Sequence, residues 1–237
     1  MAFIFETRTT AVSKALRIST FPLFAYAGFL AQIFFISLFL IGFYFLDFVP
    51  EVVAIKIPVL FLALFLLFLE LHLFFQYKVK RPKIEESLAD AVSSGSENLA
   101  TFLSLEACHV IESAIAACKR RRLSAVPSEA IFYGAALENV DIQILVARLG
   151  VDIKKLQSDL KNFLEKQERK QKFDLLLAES FEKTIQAAAQ LAVDRKKNVI
   201  TEKALFVSLS KHATFFQELV VAYDLKEQDI ENFAFWL

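Results

Sequence analysis

Glycine and proline are scarce, five of each in 237 residues, too few for the turns that a sheet protein of this length needs. Long helices with short connections are the expectation. The glycines stand at Gly28, Gly42, Gly95, Gly134 and Gly150, and none belongs to a glycine-rich loop followed by Lys-Ser or Lys-Thr that would cradle phosphates. Cysteine is limited to Cys108 and Cys118, ten positions apart in one helical segment and so about 15 Å apart along its axis, beyond disulfide reach. Two buried thiols in a reducing compartment is the plain reading. His72, His109 and His212 are scattered, with no metal-ligand spacing to either cysteine. A nucleophile elbow, a zinc-protease helix and a Cys-His pairing are all missing. The expectation is therefore no catalytic residue, no metal, no cofactor and no ATP hydrolysis by this chain. Lys and Arg total 27, as do Asp and Glu, so there is no basic excess of the kind that marks a nucleic-acid partner.

What is abundant is apolar surface, 56% of residues, and it is unevenly spread. No charge occurs between Arg17 and Asp47, whereas nearly every stretch beyond Lys78 carries both signs. Phe21 to Leu46 is apolar apart from Gln32, Ser37 and two tyrosines, and as a helix it is roughly 39 Å long against a ~30 Å hydrocarbon core. The run is about twice the length of a signal-peptide core, and no small-residue cleavage site follows it. A second span is expected from Val52 to Phe75, with Lys56 and Glu70 near its ends, Phe48 to Lys56 as the turn, and Pro58 near the helix start. Arg8, Lys14 and Arg17 precede the hairpin and Lys78, Lys80, Arg81 and Lys83 follow it, which by the positive-inside rule puts both termini in the cytoplasm, with the chain multi-pass in the inner membrane. Glu70 reads as interfacial; the alternative is a place within the bilayer, hydrogen-bonded to Gln32 and serving a sensing role.

The expected domains are a cytosolic segment at 1–20, a hairpin at 21–77, a linker at 78–98 and a helical domain at 99–237. In the linker Pro82 breaks the second helix, and Ser93-Ser94-Gly95-Ser96 reads as a flexible joint. Beyond it the 3.6-residue period traces helices over 104–121, 128–137, 141–149 and 153–166, the third capped by Gly150. A second set follows over 175–195, 201–211, 214–222 and 226–235. Leu103, Ile111, Ala114, Ile115 and Cys118 match Leu177, Ile185, Ala188, Ala189 and Ala192 at an offset of 74, and Ser128-Glu129 match Thr201-Glu202 at 73, as if one residue were lost between them. Each repeat, about 99–167 and 174–237, has only a narrow apolar stripe, so two stacked repeats must share one core. The fold class is all-α: a two-helix transmembrane hairpin plus a pseudo-twofold domain of two four-helix units.

LSLEACHVIESAIAACKRRRL at 103–123, leading through VPSEAIFYGAAL to ARLGVDIKKLQSDL, and then NVITEKALFVSL at 198–209, resemble the N-terminal repeat domain of Clp-type AAA+ chaperones. Leu149 to Asp152 is the sharpest match. Pro127 and Ala130, and Ile200 and Lys203, stand where the family usually has glycine before and histidine after the Ser/Thr-Glu pair. The resemblance implies a docking domain for substrates or adaptors and an AAA+ ATPase acting in cis or in trans. It also implies that Ser128, Glu129, Thr201 and Glu202 are candidate binding residues, the two glutamates forming related docking points for cationic groups. Simple N-capping accounts for the same residues.

Lys119 to Arg122 invites a reading as a nucleic-acid or anionic-lipid patch, but Arg195, Lys196 and Lys197 stand at the matching end of the second repeat, where cations complement a helix dipole. Phe233, Phe235, Trp236 and Leu237 form an apolar end that should pack on something. The function expected is a membrane-anchored docking domain of the Clp chaperone-protease system, the N-terminal part of a Clp ATP-binding subunit or a companion to one. Its partners would be the lipid bilayer and protein clients or adaptors. The alternative is a membrane-tethered sensor that binds a regulator independently of the protease.

Overall fold

A computed structural model of the chain describes residues 3–19, 25–37, 50–80, 86–95 and 97–236. These form twelve α-helices: α1 (Ala11–Ser19), α2 (Ala25–Ser37), α3 (Glu51–Lys80), α4 (Leu88–Ser94), α5 (Leu105–Arg121), α6 (Ser128–Glu138), α7 (Val140–Arg148), α8 (Ile153–Glu165), α9 (Glu179–Asp194), α10 (Glu202–His212), α11 (Thr214–Ala222) and α12 (Glu227–Trp236). A short 3₁₀ turn, Leu99–Phe102, precedes α5. Two compact units result, one of Lys14–Pro82 and one of Met1–Ser13 with Lys83–Leu237, the division falling inside α1.

In the first unit α2 packs along α3. The helix α3 is 30 residues long with Pro58 inside it, about 45 Å of helix. It begins at Glu51, so the turn expected to run to Lys56 is shorter, because a proline in the third turn costs one hydrogen bond without ending the helix. Leu60, Leu66, Leu67 and Leu73 of α3 point outward, as do Phe35 and Ile36 of α2. Gln32 and Glu70 are both exposed and no hydrogen bond joins them among the described residues. No single helix among the described residues is long and apolar enough to cross a membrane; in α3 the described side chains run unbroken only over 55–71. Residues 21–24 and 38–46 of the expected first span, the residues just before Pro50, and the break at Pro82 lie outside the described residues.

The second unit is the repeat domain, and its eight helices follow the expected order closely. One bound differs by more than a residue: the helix expected from Leu175 starts at Glu179, because residues 176–178 are drawn into backbone pairing instead. Val126 donates to the Leu176 carbonyl at 2.8 Å and Ala178 donates to Val126 at 3.0 Å. The reciprocal pairing joins Ser104 to Ile200 at 2.9 Å and Ile200 to Phe102 at 2.7 Å. Each repeat thus ties the residue before the N-cap of its own first helix to the residue before the N-cap of the other's second helix, as parallel bridges Leu103 to Ile200 and Val126 to Leu177.

These two bridges are related by an offset of 74, and so are several other markers of the fold. Arg122 and Lys196 both adopt positive φ, as do Gly150 and Asp224. Leu123 bonds back to Cys118 as Lys197 does to Ala192, and Val151 to Val146 as Leu225 to Val220. In the core Phe132 and Phe206 are equivalent, as are Ile142 and Phe216, Leu156 and Ile230, and Leu160 and Ala234, all buried. The expected change of offset to 73 is therefore corrected: no residue is lost, Pro127 matches Thr201 as N-cap, and Ser128 matches Glu202.

The core joins the halves through aromatic rings. Phe132 of α6 lies 6.0 Å from Phe206 of α10 and 4.7 Å from Phe216 of α11, and Phe206 to Phe216 is 5.1 Å. Within each repeat the small residues expected on the first helix allow close approach. A Cβ on Gly134 of α6 would sit 2.7 Å from the Val110 carbonyl oxygen and 3.3 Å from the Ala114 nitrogen of α5.

Two segments expected to lie outside the domain are built into it. Instead of a flexible joint, Ser93 and Ser94 end helix α4 and Gly95 caps it in the left-handed region. Leu88 and Ala91 are buried, and Asn198 accepts from the Leu88 amide at 2.5 Å while donating to the Glu86 carbonyl at 3.1 Å. The N-terminal residues also pack here. Phe5 meets the buried Phe181 edge-on at 5.5 Å, Glu6 and Asn98 exchange hydrogen bonds at 3.0 and 2.8 Å, and Ser13 donates to Glu112 at 3.0 Å.

Candidate functional site

The four residues singled out from sequence open α6 and α10. Thr201 accepts from the Ala204 amide at 3.3 Å and caps α10. Ser128 does not cap α6; Pro127 occupies that position without a side-chain bond. The Ser128 hydroxyl instead donates to Glu129 at 3.1 Å, and its amide donates to Ser180 at 3.3 Å. Burial separates the two glutamates further. Glu129 is 4% exposed, whereas Glu202 is half-buried at the surface. Glu129 is equivalent to Lys203 rather than to Glu202, so the two carboxylates are not a symmetric pair.

Around Glu202 lie further acidic groups. Ser104 donates to it at a long 3.5 Å. Burial first, and then the charges of Glu106 and Asp141, push its carboxyl above the usual range, while its own backbone bond and Lys203 oppose this. The site is thus an acidic corner where the start of α5, the start of α7 and the start of α10 converge. The α6–α7 corner is fixed by Asn139, which accepts from the Ile142 amide at 2.9 Å, and the two helices meet there at 99°.

The basic clusters are used differently. Arg121 donates to the Ala117 carbonyl at 3.1 Å and lies over the Tyr133 ring at 5.1 Å. Arg195 pairs with Glu231 at 2.7 Å and stacks on Phe235 at 3.6 Å, which is where part of the apolar chain end goes; the side chains of Phe233, Trp236 and Leu237 lie outside the described residues. Both arginines therefore bind their own helices' surroundings. Cys118 is buried, which pushes its thiol up to about 12 against a smaller opposing effect of Arg121, so it is a packing residue rather than a nucleophile. Among the described residues no three His, Cys, Asp or Glu side chains are placed to hold a metal.

A family model described as the Clp repeat (R) N-terminal domain matches residues 102–221, more than half of the 237-residue chain. The chain belongs to the Clp N-terminal repeat family. No curated protein matches it. Among solved structures, the Clp N domain here is similar to the N-terminal domain of the ClpV1 ATPase from the E. coli EAEC Sci1 type VI secretion system, at 17% identity and a TM-score of 0.50, covering 61% of this chain and 88% of that one. Similar too are the N-domain of ClpV from Vibrio cholerae, at 14% identity, TM-score 0.48, and 65% and 91% coverage, and the Hsp104 N-terminal domain from Candida albicans, at 11%, 0.48, and 54% and 86%. At 17% identity the likeness to the ClpV1 domain speaks to fold alone. The expectation of an all-helical Clp N fold is met, and the matched region is the N-terminal domain.

Proposed function

We propose that this chain is a membrane-anchored docking domain for substrates or adaptors of the Clp chaperone-protease system, the N-terminal part of a Clp ATP-binding subunit or a companion to one. The observation that carries the reading is the duplicated Clp N fold itself, whose two halves are joined by reciprocal backbone pairing. Anchoring is supported by α3, charge-free from 57 to 69 with outward leucines, and by the flanking basic residues. Exposed leucines on a 30-residue helix favour a hydrocarbon environment. In this reading the domain faces the cytoplasm, and the tether concentrates the docking surface near membrane clients.

Of the four residues the family resemblance points to, Thr201 and Glu202 offer surface to a partner, and Ser128 and Glu129 support the helix start from inside. Crosslinking of the tagged full chain in its own cells tests the function: recovery of a AAA+ ATPase or of its clients supports it, and a preparation containing neither refutes it. Protease added outside intact cells should spare the carboxy-terminal domain; digestion there refutes the orientation.

A further inference from the structure

Cations end both α5 and α9, and the helix dipole accounts for the two sets alike. It does not account for what packs against the first set. Lys170, on the connection between the repeats, donates its amide to the Arg122 carbonyl at 2.8 Å, and Ser124 donates to the Glu168 carbonyl at 2.9 Å. This pairing sets Lys170 and Lys172 alongside Lys119, Arg120 and Arg122, all of them exposed. Among the described residues no ion pair or side-chain hydrogen bond holds any of them. Arg121 and Arg169 are engaged elsewhere, over the Tyr133 ring and on the Glu165 carbonyl at 3.2 Å. Acids nearby do little to neutralise the group. The helix α5 has none after Glu112, and the connection itself carries Glu168 and Asp174. On the flanking helices Glu165 pairs with Lys161 at 3.9 Å and Glu179 with Lys183 at 2.7 Å, while Glu182 is half-buried.

The duplication shows that the fold does not require this convergence. The counterparts of Lys170 and Lys172, 74 positions earlier, are Ser96 and Asn98, and Lys196 and Lys197 at the end of α9 share a cleft with Glu86. There an acid meets the cations of a helix end; at Arg122 like charges are brought together at a cost in repulsion. Leu175 and Leu176 lie on the same edge, 43% and 55% exposed. Residues 122–126 pair with both 168–170 and 176–178, a stretch of about 14 Å. The counterparts of the two leucines are Thr101, which is polar, and Phe102, which is fully buried. Resting on the anchoring reading above, we infer that this edge docks on an anionic lipid surface, its cations on headgroup phosphates and its leucines in the interface. Cations beside exposed aliphatic side chains suit such a leaflet on both counts. Nucleic acid would use the charges and leave the leucines in water. An acidic peptide lacks the high local concentration that a tether gives the leaflet.

The test places a small neutral fluorophore on the full chain at Gln171→Cys, an exposed position between the two lysines. The parent, whose own cysteines are buried, is the labelling blank. The chain is reconstituted in vesicles of phosphatidylcholine, with or without about one-third phosphatidylglycerol, containing a neutral lipid spin-labelled at its headgroup. Quenching should be at least twofold greater on the anionic vesicles and fall towards the neutral value between about 50 and 300 mM salt. Each lysine or arginine near an anionic leaflet strengthens attachment about fivefold, so K119Q/R120Q/K170Q/K172Q forfeits roughly several-hundred-fold and should lose the anionic response. L175S/L176S should weaken it several-fold, and K196Q/K197Q, at the counterpart helix end, should respond as the parent does. Circular dichroism melts identify any variant that fails to fold, and the two double variants, altered only on the surface, keep the question answerable if the fourfold variant does. Equal quenching on both vesicles, or an undiminished response in the fourfold variant, overturns the inference. So does tight binding of a short DNA duplex or a leucine-glutamate peptide with no phosphatidylglycerol response, which assigns the edge to another polyanion. If the chain fails to float with neutral vesicles the anchor is refuted; quenching by anionic vesicles added to it then still supports the lipid edge, and its absence overturns that too.

Discussion

Phe206→Ala is the perturbation that interrogates the shared core most directly. Phe206 is fully buried and touches rings from both repeats, Phe132 at 6.0 Å and Phe216 at 5.1 Å. Truncating a buried phenylalanine costs about 3–5 kcal/mol, a transfer loss plus the cavity left behind. For a unit of this size that corresponds to a fall in Tm of roughly 6–20 °C. The location decides how the loss is distributed. Because Phe132 and Phe206 are equivalent positions meeting across the pseudo-axis, both repeats should melt together. The cycle of Phe132→Leu, Phe206→Leu and the double variant should show a coupling of about 0.5–1.5 kcal/mol, the excess of an aromatic pair over its area burial. The assay is circular dichroism at 222 nm during urea and thermal unfolding of the full chain. Two separated transitions in Phe206→Ala, or strict additivity in the cycle, would refute the claim of one core.

Three further outcomes follow from the same geometry. Gly134→Ala should destabilise despite a gain of about 1 kcal/mol in helix propensity, because its Cβ meets backbone at 2.7 Å and overpacking against an unyielding helix costs about 1–3 kcal/mol; a raised Tm would refute this. Glu202 has a folded pKa above its unfolded value, so its contribution to stability is greatest below the unfolded pKa and is lost as pH rises through the folded one; Glu202→Gln should therefore gain Tm over the parent at pH 7 and lose that advantage at pH 4, and a constant difference would contradict it. Cys118, buried with its thiol at about 12, should resist N-ethylmaleimide at pH 8 in the folded chain and react once urea unfolds it; modification at the rate of a free thiol under native conditions would show that it is not sealed.

Helix order was open to reading because amphipathic period and small-residue spacing are local, and α5 to α12 fall within a few residues of the expected ranges. The docking residues were only half readable. Ser128-Glu129 and Thr201-Glu202 look alike as letters, but the helices start at equivalent positions, after Pro127 and Thr201, so that Ser128-Glu129 stands one position further into its helix, where Glu129 turns inward and Glu202 does not. The signal that would have avoided the misalignment was present in Phe132 and Phe206, whose identity and spacing keep the offset at 74.

Other features have no local signal at all. Phe5 finds Phe181, Glu6 finds Asn98 and Ser13 finds Glu112 across separations of about a hundred residues or more, and Asn198 reaches back to Leu88. Neither the residues before Ala11 nor the serine-rich run before Gly95 carries a period or an apolar stripe, so chain composition alone suggests a tail and a joint. The sequence by itself determined that the chain is helical, duplicated and a Clp N domain, because periodicity, caps and repeat spacing act between residues a few positions apart or are printed twice. Only the tertiary structure decided which glutamate stays in water, how the halves interlock and what the flanking segments cover, because those depend on surfaces that do not exist until the chain has folded.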